Sequence, residues 1–147
     1  MKVWNSLRFF FLVTLVGSLF GASKAAAFDL QTEIERAKDG EVISIPAGRY
    51  EGPIVVRKPI VLRGNGEVIL HNASSETTLL IESNGSEIGG ITIQHHNEQA
   101  DVPAITVTGD HNRLHHLDIR TGGMGITLHQ ANGNHLHDLT LENVAPH

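Results

Sequence analysis

Between Leu79 and Leu141 the apolar positions repeat one short pattern three times. The last pass reads Gly125-Ile126-Thr127-Leu128, a polar turn, then Leu136-His137-Asp138-Leu139-Thr140-Leu141. Before it come Ala104-Ile105-Thr106-Val107, a turn, and Leu114-His115-His116-Leu117-Asp118-Ile119. Earlier still stand Thr78-Leu79-Leu80-Ile81, a turn, and Ile88-Gly89-Gly90-Ile91-Thr92-Ile93. Leu114, Leu117 and Ile119 return 22 residues later as Leu136, Leu139 and Leu141, whereas Ile88, Ile91 and Ile93 lie 26 residues before them. A longer loop from His95 to Pro103 supplies most of that difference. Short alternating apolar segments at a fixed period of this size mark a solenoid, in which each pass is one coil unable to bury its apolar face alone. The pattern predicts an all-β chain, a right-handed parallel β-helix of about four coils.

Upstream the period changes. Leu30, Ile34 and Ala37 fall on one face at helical spacing, with Asp29 as N-cap and Gly40 as stop, so residues 28–40 read as a short amphipathic helix capping the first coil. From Glu41 onward, residues 41–147, the segments are strand-like: Val42–Ile45, a turn at Pro46–Tyr50, Ile54–Val56, Ile60–Leu62, a turn at Gly64–Gly66, and Val68–Leu70. Register between the coils predicts outward columns of Leu80, Thr106 and Thr127, of Thr92, Asp118 and Thr140, and of Glu82, Thr108 and His129. Asn84, Asn112 and Asn132 or Asn134 fall in the polar turns, where asparagine tolerates unusual backbone angles. The chain stops after Val144-Ala145-Pro146-His147 with no capping element, and the reading is a β-helix truncated at its C-terminus.

Residues 1–27 stand apart. Lys2 and Arg8 precede an apolar run from Phe9 to Phe20, and Ala25-Ala26-Ala27 offers small residues for cleavage before Phe28. This is the form of a secretory signal peptide, and a periplasmic protein is expected. The apolar run is short of the ~20 residues a membrane span needs, which weighs against an uncleaved anchor. Without Lys2, Arg8 and Lys24, eight basic residues face sixteen acidic ones, a charge of −8 with histidine neutral. Such a surface argues against nucleic acid as partner. The chain has no cysteine, so an exported fold must hold by packing and backbone ladders, and thiolate metal sites are excluded.

The opening of residues 28–147 resembles the NosD family of periplasmic proteins. The resemblance is carried by Leu30-Gln31-x-x-Ile34, by Pro46-Ala47-Gly48-Arg49-Tyr50-Glu51-Gly52-Pro53, by Lys58-Pro59-Ile60-Val61-Leu62-Arg63-Gly64, and by the paired repeats that follow. It implies an exported right-handed β-helix, of the pectate-lyase-like architecture, that helps load copper into nitrous oxide reductase alongside an ABC transporter. The same opening and coils occur in carbohydrate-binding and polysaccharide-modifying β-helices, which is the alternative reading. The chain is much shorter than a complete NosD protein.

Ten histidines in 147 residues are far more than usual, and they are grouped. His115 and His137 occupy equivalent positions in adjacent coils, His116 aligns with Asp138, and His135 and His137 flank inward-pointing Leu136. Imidazole suits copper and zinc, and converging rings with a carboxylate make a divalent-metal site. His115, His116, His137 and Asp138 are therefore the first metal candidates, and copper is the expected cofactor. His95 and His96, placed with Glu98 and Asp101 in the inserted loop, are the second. The competing reading is that histidine fills these turns as asparagine fills others. Met124 offers a thioether or plain packing. Catalysis finds less support. Glu82, Asp118, Asp138 and Glu142 are scattered over faces and coils, so no pair of carboxylates flanks a common point. There is no Gly-His-Gly turn, no Asp-Pro-His-Asp run and no serine in a strained elbow.

Overall fold

The computed structural model describes residues 27–96 and 100–144, so the expected signal peptide lies, apart from Ala27, outside the described residues. The chain is a parallel β-helix closed at its N-terminal end by a helix. In order it comprises α1 (Leu30–Arg36), β1 (Val42–Glu51), β2 (Ile54–Val56), β3 (Val61–Asn72), β4 (Leu79–Ile81), β5 (Glu87–His95), β6 (Ile105–Val107), β7 (Arg113–Thr121), β8 (Ile126–Leu128) and β9 (His135–Asn143). Odd-numbered strands stack as one parallel sheet, β1-β3-β5-β7-β9, and even-numbered strands as another, β2-β4-β6-β8.

Alternation explains the core. The main inward columns are aliphatic, each residue lying on its counterpart in the next coil: Ile43 on Leu62, Leu62 on Ile88, Ile88 on Leu114, Leu114 on Leu136. Leu79, Ile105 and Ile126 form a second column, and Leu70, Ile93, Ile119 and Leu141 a third. Leu62, Ile88 and Leu114 are fully buried because each has a coil above and below, whereas Leu128 and Leu141 in the last described coil are 45 % and 63 % exposed. The outward columns of Leu80, Thr106, Thr127 and of Thr92, Asp118, Thr140 are those expected.

The long strands differ from expectation. Pro46–Gly48 and Gly64–Gly66 do not end strands; they bend β1 and β3 from one face of the coil onto the next, at the cost of a register shift on each. Residues on either side keep their ladder to the neighbouring coil, which outweighs the local breaker. In β5, β7 and β9 the same bend takes a single left-handed residue, Gly90 (φ 72°), His116 (φ 51°) and Asp138 (φ 53°).

Helix α1 is shorter than expected. Asp29 caps it by accepting from Thr32 N at 3.0 Å, but it ends at Ala37 rather than at Gly40. Lys58 Nζ donates to the carbonyls of Glu35 and Ala37 at 2.6 and 3.0 Å, stopping the helix from outside. Leu30 and Ile34 cover the first coil. The Gln31 amide accepts from Val55 N at 2.9 Å and donates to Val55 O at 3.2 Å, pairing with the outermost strand, β2, as a peptide group would. Among the described residues no helix is long and apolar enough to cross a membrane.

Candidate functional site

The site forms where the long strands turn a corner. Gly89, His115 and His137 are in register on three successive coils, each followed by the left-handed corner residue. Histidine and aspartate are among the few residues other than glycine and asparagine that take this conformation readily. Corner geometry therefore accounts for the residue types at His116 and Asp138 on its own. What it does not dictate is their hydrogen bonding.

His115 and His137 stack with ring centroids 5.3 Å apart and planes 13° from parallel. His116 stands edge-on to both, 5.1 Å from His115 and 6.2 Å from His137. The rings are wired together. Glu87 Oε1 lies 3.1 Å from His115 Nε2, and His115 Nδ1 lies 2.9 Å from His116 Nδ1. Asp138 Oδ2 lies 2.8 Å from His137 Nδ1 and 3.8 Å from His116 Nε2. Exposure grades along this chain, with His115 at 19 % and His116 at 66 %. The hydrogen bond from His115, aided by Arg63, holds the Glu87 carboxyl below its ordinary range despite partial desolvation. The His137 hydrogen bond does the same for Asp138, with the neighbouring imidazoles adding to it. Beside the cluster an open recess of about 380 Å³ is lined by Arg63, Gly64, Gly89, Gly90, His115 and His116.

Two contributors escape sequence reasoning, Glu87 and Gly89. A Cβ on Gly89 would lie 2.3 Å from His115 Cε1, so the missing side chain is what lets the ring lie down over β5 and reach Glu87. The sequence signal was the Gly89-His115-His137 column itself, with Glu87 two positions before its glycine on the same outward face.

The second candidate pair separates. His95 is not in the inserted loop: it is the last residue of β5, 2 % exposed, in an inward column with Asn72 and Thr121. Its Nδ1 is 2.9 Å from Thr78 Oγ1, and its Nε2 is buried, facing the Val102 backbone with no close hydrogen-bond partner among the described residues. His96 follows the strand and is exposed, its N–H donating to Asn72 O. Glu98 lies outside the described residues. Met124 is 44 % exposed.

Burial lowers the His95 pKa, and His96 adds to this, while the Val102 backbone opposes it. The unfolded chain therefore binds the proton more readily than the fold does. Stability is complete above the unfolded imidazole value of about 6.5 and is lost as pH falls below it. The melting temperature is expected to drop between about pH 7.5 and 5.5. His95→Asn, which suits a column already holding Asn72, is expected to shrink that drop; thermal melts of both proteins at the two pH values check it.

Among the described residues, no group of three or more histidines and carboxylates is arranged to hold a metal ion together. The corner supplies fewer convergent donors than the four of a closed structural zinc site. A scan against family models, a search of curated proteins and a search of solved structures each found no match to this chain.

Proposed function

We propose that this chain is a NosD-like exported solenoid that assists copper delivery to nitrous oxide reductase alongside an ABC transporter, and that copper is handled at the corner formed by His115, His116, His137 and Asp138. The observation that carries the reading is the convergence of three imidazoles and a carboxylate from two adjacent coils within hydrogen-bonding and stacking distance. Imidazole is a good copper ligand. A donor set too small to close around an ion leaves coordination positions for a partner, which suits handing a metal on rather than storing it. The rigid ladders fix where the corner points, so docking of a partner's ligands becomes a matter of rigid-body approach.

Titration of the purified protein with Cu(I) and with Cu(II) tests this. A dissociation constant at or below about 1 μM is expected, weakened at least about tenfold, or roughly 1.4 kcal/mol, by the double variant His116→Ala/His137→Ala. Binding no tighter than about 1 mM that is indifferent to the double variant would end the copper reading.

Glycan binding is the second reading. Its support is the outward row in which Gln94, Arg120 and Glu142 lie in register beside His96, around an open recess of about 330 Å³. Planar amide, guanidinium and carboxylate groups in a line are suited to sugar hydroxyls. Copper-independent retention on an oligosaccharide array, lost with Arg120→Ala, would favour it.

A further inference from the structure

Each neutral imidazole carries one N–H and one lone pair, so its two hydrogen bonds are not independent. A carboxylate only accepts. His115 Nε2 faces Glu87 Oε1 at 3.1 Å and must therefore carry the proton. Its Nδ1 is then a lone pair, and the 2.9 Å contact with His116 Nδ1 requires His116 to donate from Nδ1. His116 Nε2 is left as a lone pair. At His137 the same logic is one step long: Nδ1 lies 2.8 Å from Asp138 Oδ2 and must donate, which leaves Nε2 as the lone pair.

We propose that Glu87, acting through His115, and Asp138, acting directly, lock His116 and His137 in the Nδ1–H tautomer, so that the free metal donors of the corner are Nε2 of His116 and Nε2 of His137. His115 is then not a ligand, although sequence alignment puts it first. Both its nitrogens are spent, and it is the least exposed of the three rings at 19 %. It and Glu87 are positioning residues. Metal-binding histidines generally give their second N–H to a carboxylate or carbonyl, which fixes the ring and raises its basicity. His137 has that arrangement with Asp138, and His116 has it relayed through one further imidazole. The Asp138 carboxylate, 3.8 Å from His116 Nε2, adds negative charge where a cation would sit.

The tautomer lock stands on the hydrogen-bond geometry alone, whereas the donor assignment rests on the metal reading above; one experiment separates them. Long-range nitrogen–proton correlation spectra of the ¹⁵N-labelled, metal-free protein, at about pH 8 where an ordinary imidazole is neutral, report each ring's tautomer. Nε2–H is expected at His115 and Nδ1–H at His116 and His137. Nε2–H at His116, or a doubly protonated His115, would overturn the lock. Glu87→Ala is expected to release His116 toward Nε2–H while leaving His137 unchanged. Gly89→Ala, which displaces the His115 ring without touching Glu87, is expected to do the same. An unchanged His116 in both variants would reject the relay. Addition of Zn²⁺, a diamagnetic probe, is then expected to shift Nε2 of His116 and of His137 and to spare His115. A zinc-dependent shift at a His115 nitrogen overturns the donor assignment. Tautomers as stated with no shift on zinc or copper addition would remove the metal reading and leave the lock in place.

Discussion

Gly64→Ala is expected to destabilise the protein by about 3 kcal/mol or more, the overpacking cost at a site that cannot relax. A Cβ at this position would lie 2.0 Å from the carbonyl oxygen of Gly90 and 2.9 Å from its carbon. Both are backbone atoms of the adjacent coil, so no rotamer change relieves the contact. The two coils would have to separate at the corner, breaking the ladder between β3 and β5. Gly90→Ala, across the same contact, is a sharp control. There the added Cβ meets nothing closer than 3.4 Å, and the cost is only that of holding alanine at φ +72°, about 1–2 kcal/mol. Chemical denaturation followed by circular dichroism should rank the two far apart. Equal effects would mean that backbone conformation, not coil approach, governs the corner.

Asn112→Ala is expected to cost about 2–4 kcal/mol, because two buried backbone groups lose their partners together. Asn112 is fully buried in the turn before β7. Its Oδ1 accepts from Ser86 N at 2.8 Å, and its Nδ2 donates to Ser83 O at 2.8 Å, tying one coil's turn to the last. Ser86 and Ser83 are themselves buried, so water does not replace the amide. Asn134 repeats the device one coil on, accepting from Asn112 N and donating to Gly109 O. The exposed Asn132 is expected to tolerate alanine within about 0.5 kcal/mol, since its backbone N–H keeps its bond to Asp110. A comparable loss in both asparagine variants, measured by denaturation midpoint, would show that the turn amides do not carry the stacking.

The coil period was readable because an inward aliphatic residue has only two neighbours that matter, the same residue one coil up and one coil down. Any slip would turn an aliphatic column outward, so the register from Leu62 to Leu136 was fixed by side-chain type alone. The corner was harder. Gly64–Gly66 and Pro46–Gly48 looked like strand ends, since local propensity does not reveal that a ladder continues across a bend. His95 was assigned to the loop because the extra residues begin nearby. Counting two places beyond the apolar column of Leu70, Ile93 and Ile119 would have placed it with Asn72 and Thr121. Glu87 was invisible as a partner of His115 for a geometric reason: the contact is diagonal and 28 residues long, and it exists only because Gly89 has no side chain. The tautomers followed from distances alone, and no sequence pattern encodes them.

The Gln31–Val55 pair has a consequence for association. A β-helix is, in effect, a polymer of rungs, and an unprotected terminal rung would template the addition of any compatible strand. By offering β2 a side-chain amide with the donor and acceptor of one peptide group and nothing beyond it, Gln31 occupies the growth point without extending the sheet. It acts as a chain terminator, and it gives the solenoid a polarity of assembly: whatever stacks on this protein through backbone pairing in the short sheet must come from the side away from the helix.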